Sequence, residues 1–174
     1  MKWRLIEQET HNAAMNMAID HAVYESVANG RENSTIRFYK WLPSSISLGA
    51  YQNPKEINLD ACKKHSIGVV RRMTGGRAVF HDKVDFTYSV IAPIKAFNYS
   101  IENAYREICS WIINALNDLG INASLENKND STETILEVIS EDIGGKIIFL
   151  TENEIIKENE IYAISSKNLK NKKL

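Results

Sequence analysis

One stretch of the 174-residue chain concentrates side chains able to do chemistry: Val70-Arg71-Arg72-Met73-Thr74-Gly75-Gly76-Arg77-Ala78-Val79-Phe80-His81-Asp82. Two adjacent arginines lead into a Gly-Gly pair, and a histidine–aspartate pair closes the segment. Glycine has no Cβ and adopts φ > 0 at little cost, so a ligand can approach the backbone of such a bend. Successive N–H groups there can form a nest for an anion. Neighbouring guanidinium groups add charge-assisted hydrogen bonds to a carboxylate or phosphate. A bare Gly-Gly pair is as compatible with an ordinary hairpin turn. Arg71 and Arg72 before it and His81 after it shift the reading toward an anion site, because three cationic or switchable groups then converge on one bend. Successive strand residues point to opposite faces. One arginine is therefore expected to face a ligand and the other to be structural.

The elements that must position this bend are legible in the flanking pattern. Gly68–Arg72 reads as a strand entering the turn, and Ala78–Phe80 as the strand leaving it. Trp3–Glu7 reads as a first strand. Asn12 is placed to cap a helix over residues 13–29, since its side-chain oxygen can accept a free backbone N–H. That helix carries apolar groups on more than one side, which predicts deep burial. Ile36–Trp41 and Ser45–Tyr51 alternate as strands and are expected to pair as a hairpin. Leu59–His65 reads as a short helix and Phe86–Ile91 as a strand. Ile101, Ala104, Tyr105, Ile108, Ile112, Ala115, Leu116 and Leu119 recur at three- and four-residue steps, which predicts a helix capped by Ser100. Further strands are expected at Ile121–Leu125, Thr134–Ile139 and Lys146–Leu150.

Other polar residues carry blander readings. His21 and Glu25 stand at i,i+4 and suit helix stabilisation, and Asp20 is read as structural. Asn53 and Pro54 shape a turn. Cys109 lies among apolar helix positions, as a small buried thiol would. Cys62 precedes Lys63, Lys64 and His65, cations that can lower a thiol pKa, yet a structural role is favoured for it too.

Composition narrows the function classes. Hydrophobic residues make up 44% and charged residues 25%, which suits a core of ordinary size. The net charge of −1 gives no global attraction to nucleic acid, so any anion site must be local. Two widely spaced cysteines form neither a disulfide framework nor a zinc signature. The charged N-terminus is not read as a signal peptide, and no apolar run approaches the ~20 residues of a membrane helix. A cytoplasmic protein, bound to neither membrane nor nucleic acid, is expected. After about Asn127 the composition shifts toward Glu, Asn, Lys, Ile and Ser, and the basic end reads as a solvated tail.

The segment Arg71-Arg72-x-Thr74-Gly75-Gly76-Arg77-Ala78-Val79-Phe80-His81-Asp82 resembles the signature of the lipoate–protein ligase A family, which includes the octanoyltransferases that act from acyl carrier protein. Asn16–Asp20, Arg37-Phe38-Tyr39 with Trp41-x-Pro43, Ser47-x-Gly49, Gln52-Asn53-Pro54 and Thr87–Val90 match in the same order. The resemblance covers about Trp3 to Asp130. It implies an α+β fold with a mixed, largely antiparallel sheet flanked by helices, similar to biotin and lipoate protein ligase catalytic domains and here truncated. Residues 1–130 would be the partial catalytic domain and 131–174 a diverged C-terminal segment with its basic tail.

The resemblance also implies an acyl tunnel beside the Gly-Gly turn. Arg72, Thr74, Gly75, Gly76, Arg77 and His81 fall on positions that would contact substrate, and no metal ligand is implied among them. Arg77 takes a position that is often a third glycine in ATP-using ligases, which favours the octanoyltransferase branch. The implied activity is transfer of a lipoyl or octanoyl group to a lysine of a lipoyl-domain protein. The implied acceptors are of the 2-oxoacid dehydrogenase E2 or glycine cleavage H type. A ligase would need lipoate, ATP and magnesium, and a transferase would need acyl carrier protein.

Two features depart from the family pattern. Its catalytic lysine sits in a Gly-x-Lys segment followed by small residues, and it can stabilise charge developing on the acyl oxygen. Here Gly144-Gly145-Lys146-Ile147 is followed by Ile148-Phe149-Leu150, which makes Lys146 the candidate. The octanoyltransferase branch also uses a cysteine nucleophile shortly before that lysine, and no cysteine lies between Asn122 and Leu174. The alternatives are a truncated enzyme, a subunit of a split ligase, and a non-catalytic or degenerate module that binds lipoate or a carrier protein.

Overall fold

The structure is a computed structural model that describes residues 2–127, with side chains through residue 124, and the backbone of three later strands. The chain divides into two compact units. The first contains β1 (Trp3–His11), α1 (Ala13–Ala28), β2 (Ser34–Trp41), β3 (Ser45–Leu48), α2 (Leu59–Lys64), β4 (Gly68–Arg71), β5 (Val79–His81), β6 (Thr87–Pro93) and β10 (Ile161–Ser165). The second contains α3 (Ile101–Asp118), β7 (Ala123–Asn127), β8 (Thr134–Val138) and β9 (Ile148–Phe149).

Three sheets result, in the orders β1-β2-β6-β10, β4-β3-β5 and β7-β8-β9. The β1–β2 and β3–β4 pairs are parallel and the other five pairs antiparallel, so the mixed, largely antiparallel α+β expectation holds. The expected hairpin between the second and third strands does not form. Both edges of β2 are taken, by β1 and β6, while β3 pairs with β4 and β5. The link Leu42-Pro43-Ser44 lacks the Asn-Gly or Asp-Gly chemistry of a tight hairpin. Instead Leu42 N–H donates to the His11 carbonyl, and the chain passes to another sheet. The sequence pattern does not predict β10, whose Ile-Tyr-Ala-Ile-Ser run pairs with β6 from a polar surrounding sequence.

Asn12 caps α1 through Met15 N–H, and Ser100 caps α3 through Asn103 N–H, as the sequence predicts. α1 is not buried all round. Its inward face is Ala13, Asn16, Asp20, Val23 and Val27, while Met15 is half exposed. Two polar residues lie in the middle of that face because β2 places Arg37 opposite them. Arg37 Nη1 donates to Asp20 Oδ1 at 2.8 Å and Nη2 to Asn16 Oδ1 at 2.8 Å. Tyr39 and Ser89 hydroxyls donate to the same carboxylate. Apolar contacts flank this network. Val23, Val27 and Ile91 pack at one end of the helix, and Ala13, Tyr39 and Trp41 at the other.

Candidate functional site

The small sheet β4-β3-β5 carries the bend. β4 delivers Arg71 and Arg72, residues 73–78 turn, and β5 returns to end at His81. Gly76 has φ +84°, the left-handed backbone that glycine tolerates. The bend lies directly on Gly49 at the end of β3. A Cβ built there would stand 1.9 Å from the Gly76 carbonyl oxygen. Ala50 N–H donates to the Thr74 carbonyl at 2.9 Å, which ties the two loops together.

Arg72 is buried and shapes the bend from within. Its Nε donates to Thr74 Oγ1, Nη1 to the Ser47 carbonyl and hydroxyl, and Nη2 to the carbonyls of Gly75 at 2.6 Å and Arg77 at 2.8 Å. All five N–H groups of a guanidinium are thus directed at protein. Arg71 is exposed and differs. Only its Nη1 is engaged, with the carbonyls of Gly49, Ala50 and Gln52 at 2.7–3.0 Å, and its Nε and Nη2 have no partner among the described residues. Arg72 is thus the arginine that turns into the bend, while Arg71 braces the backbone of residues 49–52 from the exposed side.

Arg77 points away from the bend, with a side chain 81% exposed, and meets Glu56 at 3.3 Å. Glu56 in turn accepts from Gln52 Nε2 at 2.9 Å. Arg71 and Arg77 therefore flank the loop of residues 49–56, which continues into a short 3-10 turn at Pro54–Glu56 capped by Asn53.

His81 lies against the indole of Trp41, stacked at 4.0 Å and 11°. Its Nε2 is 2.8 Å from Ser47 Oγ. Ser47 accepts from Arg72 Nη1, which leaves its own proton to donate to His81. Burial, assisted by the Arg72 charge, holds the imidazole pKa down at about 3. The ring is therefore a neutral, positioned group at neutral pH and adds no charge to the bend. Trp41 is fixed in turn by Thr87 Oγ1, which accepts its indole N–H at 2.9 Å.

Arg72, Thr74, Gly75, Gly76, Arg77 and His81 thus gather on one small sheet and its turn. Lys146 lies outside the described residues. Ser47, Gly49, Trp41 and Glu56 complete the arrangement and were not singled out as site residues. Strand alternation held a clue: in Ser45-Ile46-Ser47-Leu48-Gly49 the small positions share one face of β3. Both cysteines are buried and unpaired. Burial raises the Cys109 thiol to about 11, which leaves it inert as a nucleophile.

Residues 12–147 match the family model described as the lipoyl protein ligase A/B catalytic domain. Octanoyltransferase LipM of Clostridioides difficile is 39% identical over 134 residues, covering 74% of this chain and 48% of the relative. The LipM protein of Halalkalibacterium halodurans is 43% identical over 124 residues, covering 70% and 45%. The chain spans about half the length of the curated relatives it matches. Among solved structures, a lipoate-protein ligase A bound with ATP superposes with a TM-score of 0.72 at 26% identity, covering 97% of this chain and 67% of that one. Protein Ta0514 from T. acidophilum with bound lipoic acid gives 0.73 at 27% identity, covering 97% and 68%.

Proposed function

Because the chain belongs to the lipoyl protein ligase A/B catalytic-domain family, we propose that it contributes the acyl-binding part of an enzyme that moves a lipoyl or octanoyl group onto a lysine of a lipoyl-domain protein. One observation carries the reading. A side-chain-free bend at Gly75–Gly76 is held rigid by a buried guanidinium, a construction suited to a ligand lying against backbone. In this reading Gly75, Gly76 and Thr74 border the acyl chain. Arg72 sets the shape of the bend and His81 supplies a neutral wall.

The outward nitrogens of Arg71 and the exposed Arg77 are the cations suited to a phosphate of the acyl donor. That phosphate would belong to the carrier of an octanoyl thioester, or to ATP if the enzyme is a ligase. The identity of the LipM relatives at 39–43% favours the octanoyl donor. ATP, bound with magnesium in the ligase version, would supply activation of a free carboxylate. Lys146, inside the matched residues, is the proposed catalytic cation that stabilises charge on the acyl oxygen. The acceptor would be a lipoyl domain of the 2-oxoacid dehydrogenase E2 or glycine cleavage H type, its lysine attacking as the neutral amine.

Intact-mass measurement of a lipoyl domain tests this. Incubation with octanoyl carrier protein should add one octanoyl mass. A gain only with lipoate and ATP would move the protein to the ligase branch, and no gain with either donor would refute acyl transfer by this chain on its own.

A further inference from the structure

Glu56 stands in front of one of the two outward cations. Its Oε2 lies 3.3 Å from Arg77 Nη2 and accepts from Gln52 Nε2 at 2.9 Å. Gln52 Oε1 in turn accepts the Gly49 N–H at 3.3 Å. A line of polar contacts therefore runs from Gly49, on which the bend lies, through the i,i+4 pair Gln52–Glu56 to the Arg77 side chain. Arg71 Nη1 holds the carbonyls of Gly49, Ala50 and Gln52, so the loop that leads to Glu56 is pinned from a second side. The contact with Arg77 is itself loose. Charge-assisted bonds from a guanidinium to a carboxylate are commonly about 2.7–2.9 Å long and are often bidentate. Here one nitrogen meets one oxygen at 3.3 Å, and Arg77 Nε and Nη1 have no partner among the described residues.

We infer that Glu56 is an internal counter-ion that holds Arg77 until a phosphate group takes its place, and so sets the affinity of this anion site. The inference rests on the proposed phosphate contact at Arg71 and Arg77. A phosphate group offers several acceptor oxygens, and it can replace one long contact with a two-point pairing to the guanidinium. Arg71 adds its Nε and Nη2, which the loop carbonyls leave unused. Arg77 then has two states, latched to Glu56 and released. A ligand that needs the released state binds with an apparent affinity reduced by the fraction of the protein that is in it. An exposed ion pair is usually weak because two long side chains must be ordered to make it. Here Gln52 already orders the carboxylate, so only Arg77 has to be caught. The latch is therefore preset on one side and free to open on the other, where the Arg77 side chain is 81% exposed.

The test is calorimetric titration of the full chain with inorganic pyrophosphate at low, fixed ionic strength, since salt screens exposed charges. Glu56→Gln removes the charge and keeps a side-chain oxygen for Gln52. It should tighten pyrophosphate binding by about threefold, the order that one exposed ion pair carries. In an Arg77→Gln background, where Arg71 alone retains the anion, the same change should have no effect. The Arg77 Nε–H resonance supplies a readout that a purely structural role for Glu56 would not move: it should reach its pyrophosphate-bound position at a lower ligand concentration in Glu56→Gln. Pyrophosphate that binds through Arg77 equally well with and without the Glu56 charge overturns the latch alone. An equal gain in the Arg77→Gln background also overturns it, as a general effect of net charge. Binding indifferent to both Arg71→Gln and Arg77→Gln, or no binding at all, overturns the phosphate contact and the latch with it.

Discussion

The carbonyl oxygen of Gly76 occupies the space that any side chain on Gly49 would need; a Cβ there would approach it to 1.9 Å. Backbone cannot yield as a flexible side chain can. Gly49→Ala should therefore push the bend away from β3 and lower stability by about 2 kcal/mol, as overpacking does. Urea denaturation reads the stability. Unchanged stability would mean the two loops are not pressed together.

Arg72 serves five acceptors from a buried position. Lysine keeps the charge and loses the planar fork. Arg72→Lys leaves carbonyls of the bend without donors and should cost about 3 kcal/mol, while Ser47→Ala, which removes one hydroxyl, should cost about 1 kcal/mol. Equal effects in paired denaturation curves would contradict the assignment of Arg72 as the organiser of the turn.

His81 is neutral in the folded protein, with its pKa lowered from 6.5 to about 3. The unfolded chain takes up a proton on this ring below about pH 6.5, and the folded chain does so only near pH 3. Stability is therefore full above that upper value and falls as the pH drops through the window. Between about pH 7 and 5 the loss should be on the order of 2 kcal/mol. His81→Gln should flatten this part of the pH profile. A profile that keeps its slope in the variant would place the titrating group elsewhere.

The Arg37–Asp20 pair, at 2.8 Å with a fully buried guanidinium, fixes α1 to β2. Asp20→Asn removes the charge and strands Arg37 in the interior, at a cost of about 3–5 kcal/mol. Replacing both residues with apolar ones of similar size should cost far less. Thermal unfolding of the single and double variants separates these outcomes.

The elements were readable where local chemistry specifies them. Asn12 and Ser100 announce their helices because a side-chain oxygen before an apolar period satisfies a free N–H. The Gly75–Gly76 bend was readable because both of its flanks alternate as strands. The pairing of β2 was not, since sheet neighbours are chosen by long-range packing and β6 lies more than 40 residues away. Asp20 is structural, as its place in the first helix suggests, but its partner Arg37 becomes visible only once the helix lies on the sheet. Alternation predicts that Arg71 and Arg72 face opposite ways; which of them turns inward depends on where the carbonyls of the bend fall.

The proposed seat of the acyl chain is the Gly75–Gly76 bend, and amide chemical-shift mapping during titration with octanoate or lipoic acid reads it residue by residue. The largest shifts should fall on Thr74, Gly75, Gly76 and Arg77 and should be lost in Gly49→Ala. Saturable binding that leaves these amides unmoved, or shifts confined to other surfaces, would place the acyl chain elsewhere.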